Sequence, residues 1–184
     1  MALNELVYLL AILIEIVFLA WAAAYLSFLV YSWLKGAPYV ATQNKEIQSI
    51  LEQEHLKPHQ FMIELGCGDG RILRQAAQTY RVKGLGIDIN PLTILKARVL
   101  AGLTGTAGIC FQIGDIRHID LSRADVIYIY LFPKLVAKLQ NQLLHQTKKN
   151  ALIIAHGFKI PYLSAYSVRV IQGDTFHTYY YRVC

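Results

Sequence analysis

The chain has 184 residues, a net charge of +6 and an apolar share of 55%. That length allows one compact core plus an appendage, and an apolar share above the roughly 45–50% of globular proteins excludes a disordered or purely solvated chain. Three cysteines, Cys67, Cys110 and Cys184, have no metal-ligand spacing and are too few for a disulfide scaffold.

The apolar excess sits at the start. From Leu6 to Trp33 there is no Lys, Arg, Asp, Asn, Gln or Pro, and the only charge is Glu15. A bilayer needs about 20 apolar residues, so this run spans one even when tilted. A buried core helix is shorter and carries a polar stripe. A cleaved signal peptide starts basic and has a shorter apolar region, whereas Asn4 and Glu5 open this one. Residues 1–34 are therefore expected to be an uncleaved, single-pass transmembrane anchor. All Lys and Arg residues lie from Lys35 onward. The positive-inside rule then predicts that residues 35–184 face the cytoplasm or an equivalent inner compartment. That region holds 18 basic and 10 acidic residues, a net of +8, which favours anionic headgroups. No arginine-rich run or aromatic–basic alternation points to nucleic acid. Glu15, a carboxylate in an apolar span, is by default a functional group, with a protonated side chain or pairing with another helix as the other readings.

After the exit at Lys35–Pro38, Thr42 is placed to cap a helix over Lys45–Leu56, which Lys57-Pro58 ends. Short apolar runs then alternate with amphipathic stretches. Strands are predicted at Phe61–Leu65, Gly84–Asp88, Ile109–Ile113, Asp125–Leu131 and Ala151–Ala155. Helices are predicted at Arg71–Tyr80, Pro91–Ala101 and Pro133–Gln146. Val168–Gln172 and Thr175–Val183, separated by Gly173-Asp174, read as an antiparallel hairpin. Strand–helix alternation specifies a mostly parallel sheet covered on both faces. The closing hairpin favours a Rossmann-like methyltransferase sheet over a dinucleotide-binding one. Residues 35–184 form one predicted domain.

Glu64-Leu-Gly-Cys-Gly-Asp-Gly-Arg71 lies at the first strand–helix junction. Alternating glycines there let backbone press against a ligand, and the following helix presents free N–H groups and a positive dipole end. The dinucleotide fingerprint G-x-G-x-x-G fails at Arg71. The pattern (E/D)-x-G-x-G-x-G, which marks S-adenosylmethionine sites, is matched by Glu64, Gly66, Gly68 and Gly70. Cys67 is a small residue that fits the turn, and Asp69 lies within it. Asp88 ends the second strand, where a carboxylate accepts both hydroxyl hydrogens of a ribose, with Ile89 beside it. Asp115 follows the third strand, where an acid accepts the adenine amino group while the backbone near Ile116 reads the ring edge. These elements in order specify S-adenosylmethionine as cofactor.

The acceptor pocket is expected at the end of the fourth strand, in Tyr128-Ile-Tyr130-Leu-Phe132-Pro133. The Asp/Asn-Pro-Pro-Tyr/Phe motif that grips a planar amino group is missing. Tyr128, Tyr130 and Phe132 suit an alkyl ammonium through cation–π attraction, or a lipid-like group; each also reads as an ordinary strand residue packed under helices. The six histidines are scattered and no metal site is expected. His156, at the end of the fifth strand, is the one histidine placed near the chemistry.

Glu64–Arg71, Gly86-Ile-Asp-Ile-Asn-Pro91, Gly114-Asp115 and Leu131-Phe-Pro-Lys134 resemble a small group of membrane-anchored class I methyltransferases. Its eukaryotic members are mitochondrial protein-lysine methyltransferases acting on the ATP synthase c subunit and the adenine nucleotide translocase. Ala37-Pro-Tyr-Val-Ala-Thr42 resembles that group's Pro-Phe/Tyr-Val-Pro-Thr segment, with Ala41 in place of a proline. Gly157-Phe-Lys-Ile-Pro161 approximates its Pro-rich turn. The resemblance implies a seven-stranded class I methyltransferase fold, Thr42 near the cofactor's methionine end and Asp69 near its amino group. It also implies a membrane-protein lysine as acceptor. Methylation of a lipid or lipophilic small molecule, and a non-catalytic cofactor-binding membrane factor, remain as alternatives.

Overall fold

The computed structural model describes residues 3–34, 44–52, 56–173 and 176–183. Two compact units divide the chain, 1–38 and 39–184.

The first unit is one helix, α1 (Leu3–Leu34). At ~1.5 Å rise per residue it is longer than a hydrocarbon core. Its segment Asn4–Ser27 is long and apolar enough to cross a membrane, with a mean hydropathy of 2.5. Leu6, Val7, Leu13, Ile16, Phe18 and Trp21 are all exposed. A core helix of a water-soluble protein would bury these residues.

The second unit is a sheet with helices on both faces. Its elements are α2 (Asn44–Glu52), β1 (Phe61–Leu65), α3 (Arg71–Tyr80), β2 (Lys83–Asp88), α4 (Pro91–Leu103), β3 (Ile109–Ile113), β4 (Val126–Ile129), α5 (Pro133–Ala137), α6 (Gln140–His145), β5 (Leu152–His156), β6 (Ser167–Gln172) and β7 (His177–Arg182). Short 3₁₀ turns occupy Ile116–His118 and Pro161–Tyr166. The strand order is β3-β2-β1-β4-β5-β7-β6. The first five strands are parallel, and β7 inserts antiparallel between β5 and β6. The seven strands and the closing hairpin match the sequence expectation. The chain reverses direction across the sheet between β1 and β4. In open α/β sheets the crevice outside the strand carboxyl ends at such a point is where ligands bind.

Period-two alternation gives each face its own core. Met62, Val126, Tyr128, Ile154 and Tyr180 pack with Ile47, Leu73 and Ile94 of α2–α4. Ile63, Ile127, Ile129, Ile153 and Tyr181 pack with Leu139, Leu143 and Leu163. The Tyr180 hydroxyl donates to the Ile50 carbonyl at 3.2 Å, tying β7 to α2.

The single helix expected over Pro133–Gln146 is instead two. Lys138 and Leu139 donate to Leu135 and Val136, closing tight i→i+3 turns between α5 and α6. The break turns Leu139 and Leu143 inward to 0% exposure. Burying each stabilises by about 1.5–3 kcal/mol, which outweighs a bent helix axis. The expected helix Lys45–Leu56 is described only as α2, and its cap Thr42 lies outside the described residues, as do Asp174 and Thr175 between β6 and β7.

Candidate active site

The glycine turn forms where β1 ends. Gly66, Gly68 and Gly70 have φ of 74°, 53° and 68°, a left-handed region where a Cβ is strained. The Gly66 and Cys67 N–H groups both donate to the Ile87 carbonyl, at 2.8 and 2.9 Å, stapling the turn to the end of β2. A Cβ on Gly70 would lie 2.2 Å from the Phe111 ring, and one on Gly86 would lie 2.6 Å from it. Phe111 of β3 is therefore a wedge beneath the turn, a role its isolated place in the sequence does not announce. Arg98 of α4 donates to the Phe111 carbonyl through Nε and Nη2, at 3.0 and 2.7 Å, holding this edge strand in place.

Four acids surround the turn. Glu64 is 4% exposed, and its Oε2 accepts from the Leu73 N–H at 3.1 Å, inside the first turn of α3. Burial lifts its pKa to about 8, with Asp69 and Asp88 adding repulsion, so it is mostly protonated at neutral pH. Glu64 thus braces the turn from below rather than lining it. Asp69 is also buried and receives Arg71 in a bidentate pair as well as Lys96 Nζ at 3.2 Å.

Asp88 stands at the end of β2. Its Oδ2 accepts from the Gly68 N–H and its Oδ1 from the Asn90 N–H, each at 2.9 Å. Burial raises its pKa. The Thr93 side chain and the Ile89 backbone also hydrogen-bond it, and a carboxylate at this strand end is the type of group that accepts ribose hydroxyls. Ile89 follows it. Asn90 caps α4 through the Leu92 N–H, with Pro91 at the first helical position. Asp115 begins the 3₁₀ turn containing Ile116 and is clasped by the Arg117 guanidinium. That hydrogen-bonded pairing lowers its pKa to about 2. Burial holds Cys67 as a neutral thiol. Candidate cofactor residues 64–70, 88–89 and 115–116 therefore converge on the carboxyl ends of β1, β2 and β3.

The other expected group divides by depth. Tyr128 and His156 are 2% and 3% exposed, both buried. Tyr130 and Phe132 lie beyond the end of β4 at the rim. Tyr130 packs edge-on against His156 at 4.7 Å between ring centroids, and Phe176 stands 6.0 Å from Tyr130 and 5.9 Å from His156. Gly157 passes under Tyr130, where a Cβ would lie 2.9 Å from the ring. His156 Nδ1 is 2.9 Å from the Thr178 hydroxyl of β7. Phe132 faces Phe158 at 5.9 Å. Phe158 lies in the turn Gly157–Pro161 that the family resemblance pointed to, whereas Phe176 and Thr178 were not among the sequence candidates, because only the closing antiparallel hairpin brings them here.

The donor set fits an adenosine-type cofactor carrying an amino-acid tail. A carboxylate waits at the end of β2, an acid follows β3, and glycines remove Cβ atoms along the intervening backbone. The order ending β5-β7-β6 departs from the all-parallel dinucleotide sheet.

Comparison with known proteins agrees. Residues 64–167 match the ANTKMT methyltransferase domain. A protein-lysine N-methyltransferase of Saccharolobus islandicus (strain REY15A) is 31% identical over 154 residues, covering 81% of this chain and 94% of that protein. The mouse adenine nucleotide translocase lysine N-methyltransferase is 26% identical over 125 residues, covering 67% of this chain and 54% of its own. This chain thus spans about half the mouse protein's length. The crystal structure of an RNA methyltransferase from Salinibacter ruber, in complex with S-adenosyl-L-homocysteine, superposes with a TM-score of 0.73 at 30% identity. It covers 78% of this chain and 94% of its own. The chain belongs to the ANTKMT methyltransferase domain family and is an S-adenosylmethionine-dependent methyltransferase.

Proposed function

We propose that this protein methylates lysine side chains of a membrane protein, from a domain tethered by α1. The observation that carries the acceptor is the composition of the rim beyond β4 and β5. Residues 130–133 and 156–161 hold Tyr130, Phe132, His156 and Phe158 with one cation, Lys159, and no carboxylate or carboxamide. A planar base amino group needs such acceptors, whereas an alkyl ammonium is drawn to aromatic faces. Two relatives named as protein-lysine methyltransferases support the same choice.

S-adenosylmethionine supplies an electrophilic methyl group on a sulfonium. The residues of the chain do the rest by positioning and by excluding water. In this reading the turn Gly66–Gly70, with Cys67, receives the amino-acid tail, Asp69 its amino group and Glu64 the underside of the turn. Asp88, beside Ile89, holds the ribose. Asp115 and the Ile116 backbone hold the adenine. Thr42, outside the described residues, is assigned to the methionine end. Tyr130 and Phe132 line the lysine's approach, with Tyr128 supporting them from the core. His156, oriented by Thr178, is the candidate to take the ammonium proton. Residues 1–34 serve as a single-pass anchor and 35–184 as the catalytic domain on the inner side. Anchoring raises the effective concentration of membrane-borne acceptors.

The test is mass spectrometry of membrane proteins from cells with and without this gene, alongside membranes incubated with radiolabelled cofactor. Methyl-lysine that disappears with the gene, and label in protein bands, are expected. Label in the organic phase would transfer the assignment to a lipid acceptor, and label in RNA would overturn it.

A further inference from the structure

The outward side of α4 takes no part in the reading above, and the cleft beside it meets that reading only at Asp69. Leu95, Val99 and Leu103 occupy successive turns of α4 and are 58, 52 and 79% exposed. Residues spaced i, i+4 on a helix form one stripe. This stripe faces away from Ile94 and Ala97, which are fully buried. Lys96 flanks it on one side and Arg98 on the other.

Lys96 is also one wall of an open cleft of about 640 Å³, completed by Arg74 and Gln75 of α3 and Gln48 of α2. α3 and α4 contain Arg71, Arg74, Lys96 and Arg98 and not one acid. Of the carboxyls nearby, Asp69 is shared by Arg71 and Lys96, and Glu52 is tied to the Gln48 amide at 2.7 Å. Glu64 is mostly neutral at pH 7. Arg74 Nε is buried without a hydrogen-bond partner among the described residues. The cleft therefore holds more positive than negative charge, next to a row of aliphatic side chains facing water.

We propose that this face docks on an anionic lipid surface, with phosphate headgroups entering the cleft between α2, α3 and α4 and the Leu95–Val99–Leu103 stripe resting at the headgroup–acyl boundary. Exposed aliphatics flanked by cations on an acid-free helix are the pattern of an interfacial segment. A nucleic acid would satisfy the cations but leave the three aliphatic side chains in water. The docking is independent of which group the enzyme methylates.

The full chain carrying Cys110→Ser, Cys184→Ser and a fluorophore on Leu103→Cys tests this in nanodiscs with brominated acyl chains. Quenching is expected to be about threefold or more stronger with phosphatidylglycerol present than with phosphatidylcholine alone. Gln75→Glu, which places an acid in the cleft, and Arg74→Gln should both return it to the phosphatidylcholine level. A label on Val170→Cys of β6 should stay unquenched. Quenching that ignores phosphatidylglycerol or Gln75→Glu overturns the proposal. So does a fluorescence change on adding single-stranded RNA in detergent, or concentration-dependent self-quenching there, which would mean that a second copy covers the stripe. Circular dichroism and cofactor calorimetry on Gln75→Glu, both expected to be unchanged, keep a failure of docking distinct from a failure of methyl transfer.

Discussion

Along the carboxyl rim of the sheet, β1, β2 and β3 give way to acids, while β4 and β5 give way to rings. Two of the acids are held by backbone, Asp88 by the Gly68 and Asn90 N–H groups and Glu64 by Leu73, and two by guanidinium groups, Asp69 by Arg71 and Asp115 by Arg117. The rings hold one another, as in Tyr130, His156 and Phe176. Backbone-anchored acids suit a ligand of fixed shape and hydrogen-bonding pattern. A cluster of rings without a carboxylate offers mainly π faces and suits a partner whose common feature is an alkyl cation. On the proposed assignment the division separates recognition of the cofactor from recognition of the acceptor, and substitutions should respect it.

The largest effect is expected from Gly68→Val. A β-branched residue at φ 53° is strained by about 1–2 kcal/mol, and its side chain stands where backbone must meet the ligand. Calorimetry should find no cofactor binding, with circular dichroism unchanged; normal affinity would remove the turn from the site. Asp88→Ala comes next. Hydrogen bonds to a charged group are worth about 1.5–3 kcal/mol each, so losing two should drop cofactor affinity by about 100-fold or more.

Phe132→Ala probes the other half. Losing one cation–π partner, about 1 kcal/mol, should lower kcat/KM for the acceptor several-fold with cofactor Kd intact. An equal loss in Kd would erase the division between the halves. The smallest effect should come from Glu64→Gln. The folded pKa of Glu64 is raised to about 8 from 4.5, so its contribution to stability is full below pH 4.5 and is lost as pH rises through 8. The parent Tm should therefore decline from pH 6 to pH 9. The variant, which keeps an acceptor for the Leu73 N–H and nothing to ionise, should decline less; parallel curves would refute the buried proton.

The acid half was legible because its signals are local. A run of alternating glycines, a carboxylate at the end of a strand and a proline at the start of a helix each work within a few residues. The aromatic half was legible only in part. Alternation assigns Tyr128 and Tyr130 to the same face, but where the sheet stops decides that one is core and the other rim. Thr178 and Phe176 reach His156 through an antiparallel insertion, which no local pattern specifies. The break between α5 and α6 answers to the burial of Leu139 and Leu143, again a demand of the assembled core.

Phe111 carries a consequence for assembly. The glycine turn follows directly on the first strand to be synthesised, yet the ring it leans against belongs to the third, which lies at the margin of the sheet. Anything that peels that margin away, such as local fraying or loss of the Arg98 clasp, withdraws the floor from the cofactor loop. Ligand occupancy and protection of β3 amides from exchange should therefore rise and fall together.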